Sequence, residues 1–220
     1  APILGGHIAE WFHWHAIFYL LAALGLLSAL LVWLHIPESL PKEKRVPFDL
    51  MGVLRNYRTV GTNKKVLGYI FTNAFSYSGM FCFLTSGSLV YTGVYGVAPQ
   101  HFGYFFILNI GVMMVATFLS GRFVSRLGTE RILRMGHSVS LIAGLWLAAC
   151  AFFQWGLWPA AIGVAFYVGM VSVVSSNANT AVLALFPRTA GTANSLIGML
   201  RFATGAVIGA ILALFSTATD

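Results

Sequence analysis

Long apolar runs separated by short polar stretches set the pattern of this chain. Six runs carry neither Asp nor Glu: 16–36, 66–92, 102–120, 135–153, 157–186 and 191–215. A helix needs ~20 apolar residues to cross a bilayer core, and the shortest of these runs holds 19. Barrel strands would require about ten residues of strict apolar/polar alternation. A run such as AIFYLLAALGLLSALLVWL does not alternate. The pattern predicts an all-α, polytopic transmembrane helical bundle with six complete spans set in a lipid bilayer.

The connectors predict a direction. Lys42, Lys44, Arg45, Arg55, Arg58, Lys64 and Lys65 fall in 37–65, Arg122, Arg126, Arg131 and Arg134 in 121–134, and Arg188 in 187–190. Connectors 93–101 and 154–156 have no Lys or Arg. Basic and neutral connectors alternate, so the positive-inside rule assigns the basic ones to the cytoplasm. The stretch 37–65, with Pro37, Pro41 and Pro47, is the one clear linker. Its second half, FDLMGVLRNYRTV, is expected either to lie on the inner surface as a short amphipathic helix or to be a solvated loop.

Composition narrows the function classes. Apolar residues make up 58% and charged residues 9% of 220 positions, against about 25% charged in a soluble domain. The net charge of +7 therefore reads as membrane topology rather than as nucleic-acid binding. Cys82 and Cys150 lie within apolar runs, apart from any CxxC, and read as packing residues. No HExxH, GxSxG, P-loop or GxGxxG pattern is present. The strings TSGS at 85–88 and GHSVS at 136–140 lack the glycine arrangement of a hydrolase. A non-enzymatic protein without cofactor is expected. His7, His13 and His15 form an HxH-containing cluster, but only Glu10 stands near them, so no metal site is predicted. Ala1 opens directly on APILGG with no basic n-region or cleavage site, as expected of the interior of a longer chain.

The polar residues inside the runs are the candidate chemistry. Arg201 is the eleventh residue of 191–215, about 15 Å along that helix. An arginine at that depth costs about 2.5–3.5 kcal/mol on insertion scales and faces a bundle interior or a watery cavity. Its alternatives are a substrate or gating contact, or a structural tie. Asn73, Asn109, Asn177, Asn179 and Asn194 carry amides that lipid cannot satisfy. In 66–92, Asn73, Tyr77, Met80, Phe81 and Leu84 recur at helical spacing. That face, with one amide, one phenol and apolar groups, suits a bulky, mostly apolar ligand. The segment VVSSNANTAV at 173–182 is too polar to face lipid. Gly205 and Gly209 form GxxxG, a close-packing surface.

Two segments resemble a known family. APILGG at 1–6 is similar to the end of the antiporter motif of major facilitator superfamily drug exporters, with Pro2, Gly5 and Gly6 as the matching residues. GRFVSRLGTERIL at 121–133 resembles the superfamily's cytoplasmic loop motif, G-x-x-x-D-R-x-G-R-R. Gly121, Arg126, Gly128 and Arg131 match it, and Ser125 stands where the motif has Asp. The strings WFHWHAIF, VYGVAPQHFGYFF, SSNANTAVL and FPRTAGTANSLIGMLRFATGAVIGA resemble the Bcr/CflA group of drug:proton antiporters. His15 stands where that group often has Arg.

The resemblance implies helices six to eleven of a twelve-helix carrier. Residues 1–36 would end the N-terminal half-bundle, 37–65 would link the halves, and 66–220 would be the C-terminal half-bundle without its last helix. It further implies a multi-pass protein of the bacterial inner membrane, a monomer when full length, that exports small drug-like amphipathic compounds in exchange for protons by alternating access. Asn73, Tyr77, Phe81, Asn177 and Arg201 would line the substrate cavity, and the proton-coupling carboxylate would lie in helices outside this chain. The competing readings are another superfamily carrier, for a metabolite or sugar, and a truncated membrane fragment that transports nothing.

Overall fold

A computed structural model describes residues 8, 11–36 and 49–217 of the chain. It divides into two compact units, Ala1–Leu50 and Met51–Asp220. Every regular element among the described residues is helical.

The first unit holds α1, His15–His35, with no buried residue. Its Leu, Phe and Trp side chains project on every side, up to Trp33 at 82% exposure. A helix that is apolar all round belongs in lipid. Trp14 stacks on His15 at 3.8 Å and meets Phe18 edge-on at 5.8 Å, closing the N-terminal turn with aromatic surface.

The second unit begins with the amphipathic helix α2, Leu50–Gly61. Thus the FDLMGVLRNYRTV stretch is helical from Leu50, not a loop. Asn63 then caps α3, Lys64–Leu89, its side chain accepting from the Lys65 and Val66 amides at 3.1 and 3.2 Å, as an N-cap should. One π-helical turn, Val90–Val94, follows. The remaining long helices are α4, Pro99–Leu127, α5, Thr129–Phe153, α6, Leu157–Leu185, and α7, Ala190–Thr217, the last preceded by a 3-10 turn at Pro187–Thr189.

Among the described residues five helices are long and apolar enough to cross a membrane: α1, the greater part of α4, α5, α6, and the stretch Pro187–Leu212 that takes in most of α7. The sixth expected span, α3, is 26 residues long but more polar. The polarity is turned inward, since Asn73, Ser76 and Ser78 are all buried. The helices also outrun their apolar runs. Residues 121–134, read as a connector from their arginines, are helical except at Gly128. Arg and Leu are good helix formers, and helix ends beyond the hydrocarbon lose nothing by carrying charge.

Helix α6 is the hub, packing against α5, α4 and α3, while α7 packs chiefly on α3. Its buried positions are small or β-branched, among them Ala161, Ala165, Val171, Val174 and Ala178. Such residues let backbones approach closely, which is how helices associate where lipid is as apolar as the side chains. Gly169 shows how close. A Cβ there would lie 2.7 Å from Val112 Cγ1 and 3.3 Å from the Met113 amide nitrogen of α4.

One end of the unit is tied by Val60, Val66, Ile70, Val182, Ala193 and Ile197, which join α2, α3, α6 and α7. Toward the other end Tyr91 meets Phe105 at 4.6 Å and Phe102 at 5.6 Å, and Phe83 meets Phe106 at 5.4 Å.

The GxxxG surface is used unevenly. Phe81 lies so close on Gly205 that an added Cβ would fall against its ring, whereas one at Gly209 would sit 3.7 Å from Thr85 Oγ1, an ordinary contact. Gly205→Ala is therefore expected to cost about 1–3 kcal/mol through overpacking, and Gly209→Ala to be nearly neutral. Thermal unfolding of the two variants in detergent distinguishes them, and equal melting would refute the asymmetry.

Candidate functional site

The strongest constellation lies between α3 and α7. Arg201 stands about 16 Å from the start of α7, taking 1.5 Å per residue. Its guanidinium carbon is 4.4 Å from the centre of the Tyr77 ring and 4.8 Å from that of Phe202. Phe202 in turn meets Phe81 edge-on at 6.0 Å, and Phe81 is seated on Gly205. Tyr77 and Phe81 are one helical turn apart on α3, as Arg201 and Gly205 are on α7, so the two helices interlock. Cation–π contacts are worth about 0.5–2 kcal/mol each, and they hold the charge without neutralising it. Arg201 itself is half-buried, and its Nε is buried with no hydrogen-bond partner among the described residues. The Arg201 carbonyl and that of Leu200 accept from the Thr204 hydroxyl, which also reaches Ala74 O of α3 at 3.4 Å.

The amides divide between two helix contacts. Asn73 is fully buried and donates from Nδ2 to Asn179 Oδ1 at 2.9 Å and to Ser175 Oγ at 3.4 Å. It thereby clamps α3 to α6. Among the described residues its Oδ1 has no partner. Asn177 points the other way, donating to Ser120 Oγ of α4 at 3.0 Å and to Val173 O at 2.8 Å. One turn away Thr117 and Ser172 share a hydrogen bond of 2.9 Å. Tyr77, Phe81 and Arg201 are thus brought together and Asn73 adjoins them on α3, while Asn177 serves the α4–α6 contact. Asn109 is buried, its Nδ2 without a partner among the described residues, and Asn194 is exposed.

The segment from Gly121 to Arg131 is the joint between α4 and α5. Gly128 has φ +79° and ψ 154° and is the one non-helical residue between them. Arg126 and Arg131 are exposed on either side, and Gly121 is exposed with open space around its Cα. Close by, the Tyr69 hydroxyl donates to Glu130 Oε1 at 2.8 Å, and Glu130 pairs with Arg134 at 3.5 Å. Pro2, Gly5 and Gly6 lie outside the described residues. Among the described residues no three His, Cys, Asp or Glu side chains gather as a metal site would need.

The Major Facilitator Superfamily model matches residues 1–210. The chain belongs to this superfamily. It is 50% identical to a bicyclomycin resistance protein homolog of Haemophilus influenzae, over 97% of this chain and 54% of that protein. Over 99% of its length it is 28% identical to YdgK, an uncharacterized MFS-type transporter of Bacillus subtilis, covering 54% of it. Over 91% it is 25% identical to the multidrug transporter MdfA of Edwardsiella piscicida, covering 50% of it. The chain thus spans about half the length of the curated relatives it matches. Likeness to the bicyclomycin resistance homolog supports the Bcr/CflA type within the superfamily. As superfamily members are, it is a multi-pass membrane protein.

The structure adds three participants. Phe202 neighbours Arg201 in the chain, where adjacent helical residues point apart, yet the long arginine reaches its ring. Asn179 and Ser175, from the polar segment 173–182, are the partners of Asn73. The matching signal was the four-residue spacing that puts both on one face of α6.

The Asn73–Asn179 pair should behave as an interhelical hydrogen bond in lipid. A double-mutant cycle with Asn73→Ala and Asn179→Ala is expected to give a coupling of about 0.6 kcal/mol, read from unfolding in detergent. Strict additivity would break the pairing. Gly128→Ala forces a side chain into a backbone region that glycine almost alone adopts and is expected to cost about 1–3 kcal/mol in detergent unfolding, while Gly121→Ala in open space is not.

Proposed function

We propose that α3 to α7 form the C-terminal half-bundle, and α1 the end of the N-terminal half-bundle, of a secondary active carrier that exports drug-like amphipathic compounds across the bacterial inner membrane in exchange for protons. The observation that carries this reading is the stack of Arg201 on Tyr77 and Phe202. It sets a charge at mid-helix on aromatic faces, with an amide clamp beside it, and no bound carboxylate among the described residues quenches it. A polar point on an apolar, aromatic wall orients a bulky apolar ligand. The printed names of the relatives, a bicyclomycin resistance homolog and multidrug transporters, support drug efflux as the class of activity. The few hydrogen-bonding groups on this wall weigh against a sugar.

Alternating access would use the half-bundle as a body that rocks against its counterpart. The contacts described above fit that part. Helix α6 binds α3, α4 and α5 into one block, with α7 locked to α3 through Phe81 and Gly205. Proton coupling needs a titrating acid, which this reading assigns to helices outside the 220 residues.

Drug accumulation in cells carrying the complete gene tests the proposal. Accumulation is expected to fall relative to cells without the gene and to recover when a protonophore collapses the gradient. Arg201→Ala is expected to lower export at least about tenfold, the loss of one charge-assisted contact, with the protein still in the membrane. Tyr77→Leu is expected to reorder the exported compounds. A uniform loss across all compounds would make Tyr77 a packing residue, and no difference in accumulation with and without the gene would remove the export reading.

A further inference from the structure

We infer that Arg201 makes this site selective for neutral or anionic compounds rich in hydrogen-bond acceptors, and selective against lipophilic cations. The inference rests on the export reading above and names the substrate class that the same site would take.

The geometry supplies two separate reasons. The first is charge. Arginine stays protonated in any protein setting, and no Asp or Glu lies in the segments 66–92, 157–186 and 191–215 that build this wall. The second is the way the charge is held. The guanidinium carbon lies over the Tyr77 and Phe202 rings, so a cation of the chain's own already occupies those ring faces, and every N–H of the guanidinium is a donor with no acceptor role.

These conditions discriminate by sign. A carboxylate, sulfonyl or amide oxygen arriving at the guanidinium gains a charge-assisted hydrogen bond in a poorly hydrated place. An ammonium group brought to the same place meets a fixed like charge with no carboxylate from these helices to offset it. The two aromatic rings that would otherwise draw a cation are already engaged by Arg201. A multidrug site for cations needs an exposed acid and free ring faces, and this wall provides neither. The unengaged polar group nearby, Asn73 Oδ1, is fully buried in the α3–α6 contact and is not placed to receive a ligand cation.

The test uses one compound found to be exported in the accumulation assay, remade with a carboxamide, a sulfonate and a trimethylammonium group at the same position. Energised inside-out vesicles from cells carrying the complete gene present all three to the cytoplasmic face, so permeation does not limit the measurement. The carboxamide and sulfonate are expected to accumulate about tenfold or more faster than the trimethylammonium compound, the ratio one charge-assisted contact supports. Arg201→Gln is expected to slow the sulfonate by about the same factor and to raise the trimethylammonium compound. Arg201→Lys, which retains the charge, is expected to keep the cation excluded.

Equal accumulation of the three compounds by the unaltered carrier would overturn the inference and leave export standing. So would an Arg201→Gln variant that slows all three in proportion, as it would if an acid from another helix already paired with Arg201. If no compound is exported in the first assay, the export reading falls and this inference with it.

Discussion

Inside a bilayer a stranded amide or hydroxyl has no water to turn to, and α6 is where this chain meets that constraint. Small and β-branched residues on its buried positions bring α3, α4 and α5 within backbone reach. At that distance short polar side chains can find one another. Asn73 reaches Asn179 and Ser175 on one side, and Asn177 reaches Ser120 on the other. Close packing and polar satisfaction are thus one device. Widening either contact would cost dispersion and hydrogen bonding together.

Helix α7 stands apart from that hub and is held differently. Its grip on α3 comes from a ring seated on Gly205 and a guanidinium laid on Tyr77. A contact built from faces of rings tolerates small changes of angle better than a directional amide pair. The charge at its centre is therefore embedded in the less polar of the two seams of α3, which keeps it poorly hydrated and strengthens whatever it touches.

Most of the helical architecture was legible because its signal is long and redundant. Twenty or so apolar residues in a row define a span regardless of any single position, and five helices among the described residues carry that signal outright. Boundaries were less legible. Arginines between apolar runs looked like loop, yet arginine is a good helix former, so only Gly128 interrupts 99–153 between α4 and α5. In the candidate site, the depth of Arg201 and the face shared by Tyr77 and Phe81 were readable from spacing. What Asn73 and Asn177 face was not, because periodicity names a side of a helix without naming the neighbour on that side. The choice of Phe202 as a partner depends on side-chain reach, which a helical wheel does not contain.

A single residue separates two helices of 29 and 25 residues at Gly128. Such a joint has no slack. The facing ends of the two rods stay one residue apart whatever angle lies between them, so Arg126 and Arg131 remain neighbours of the same pivot.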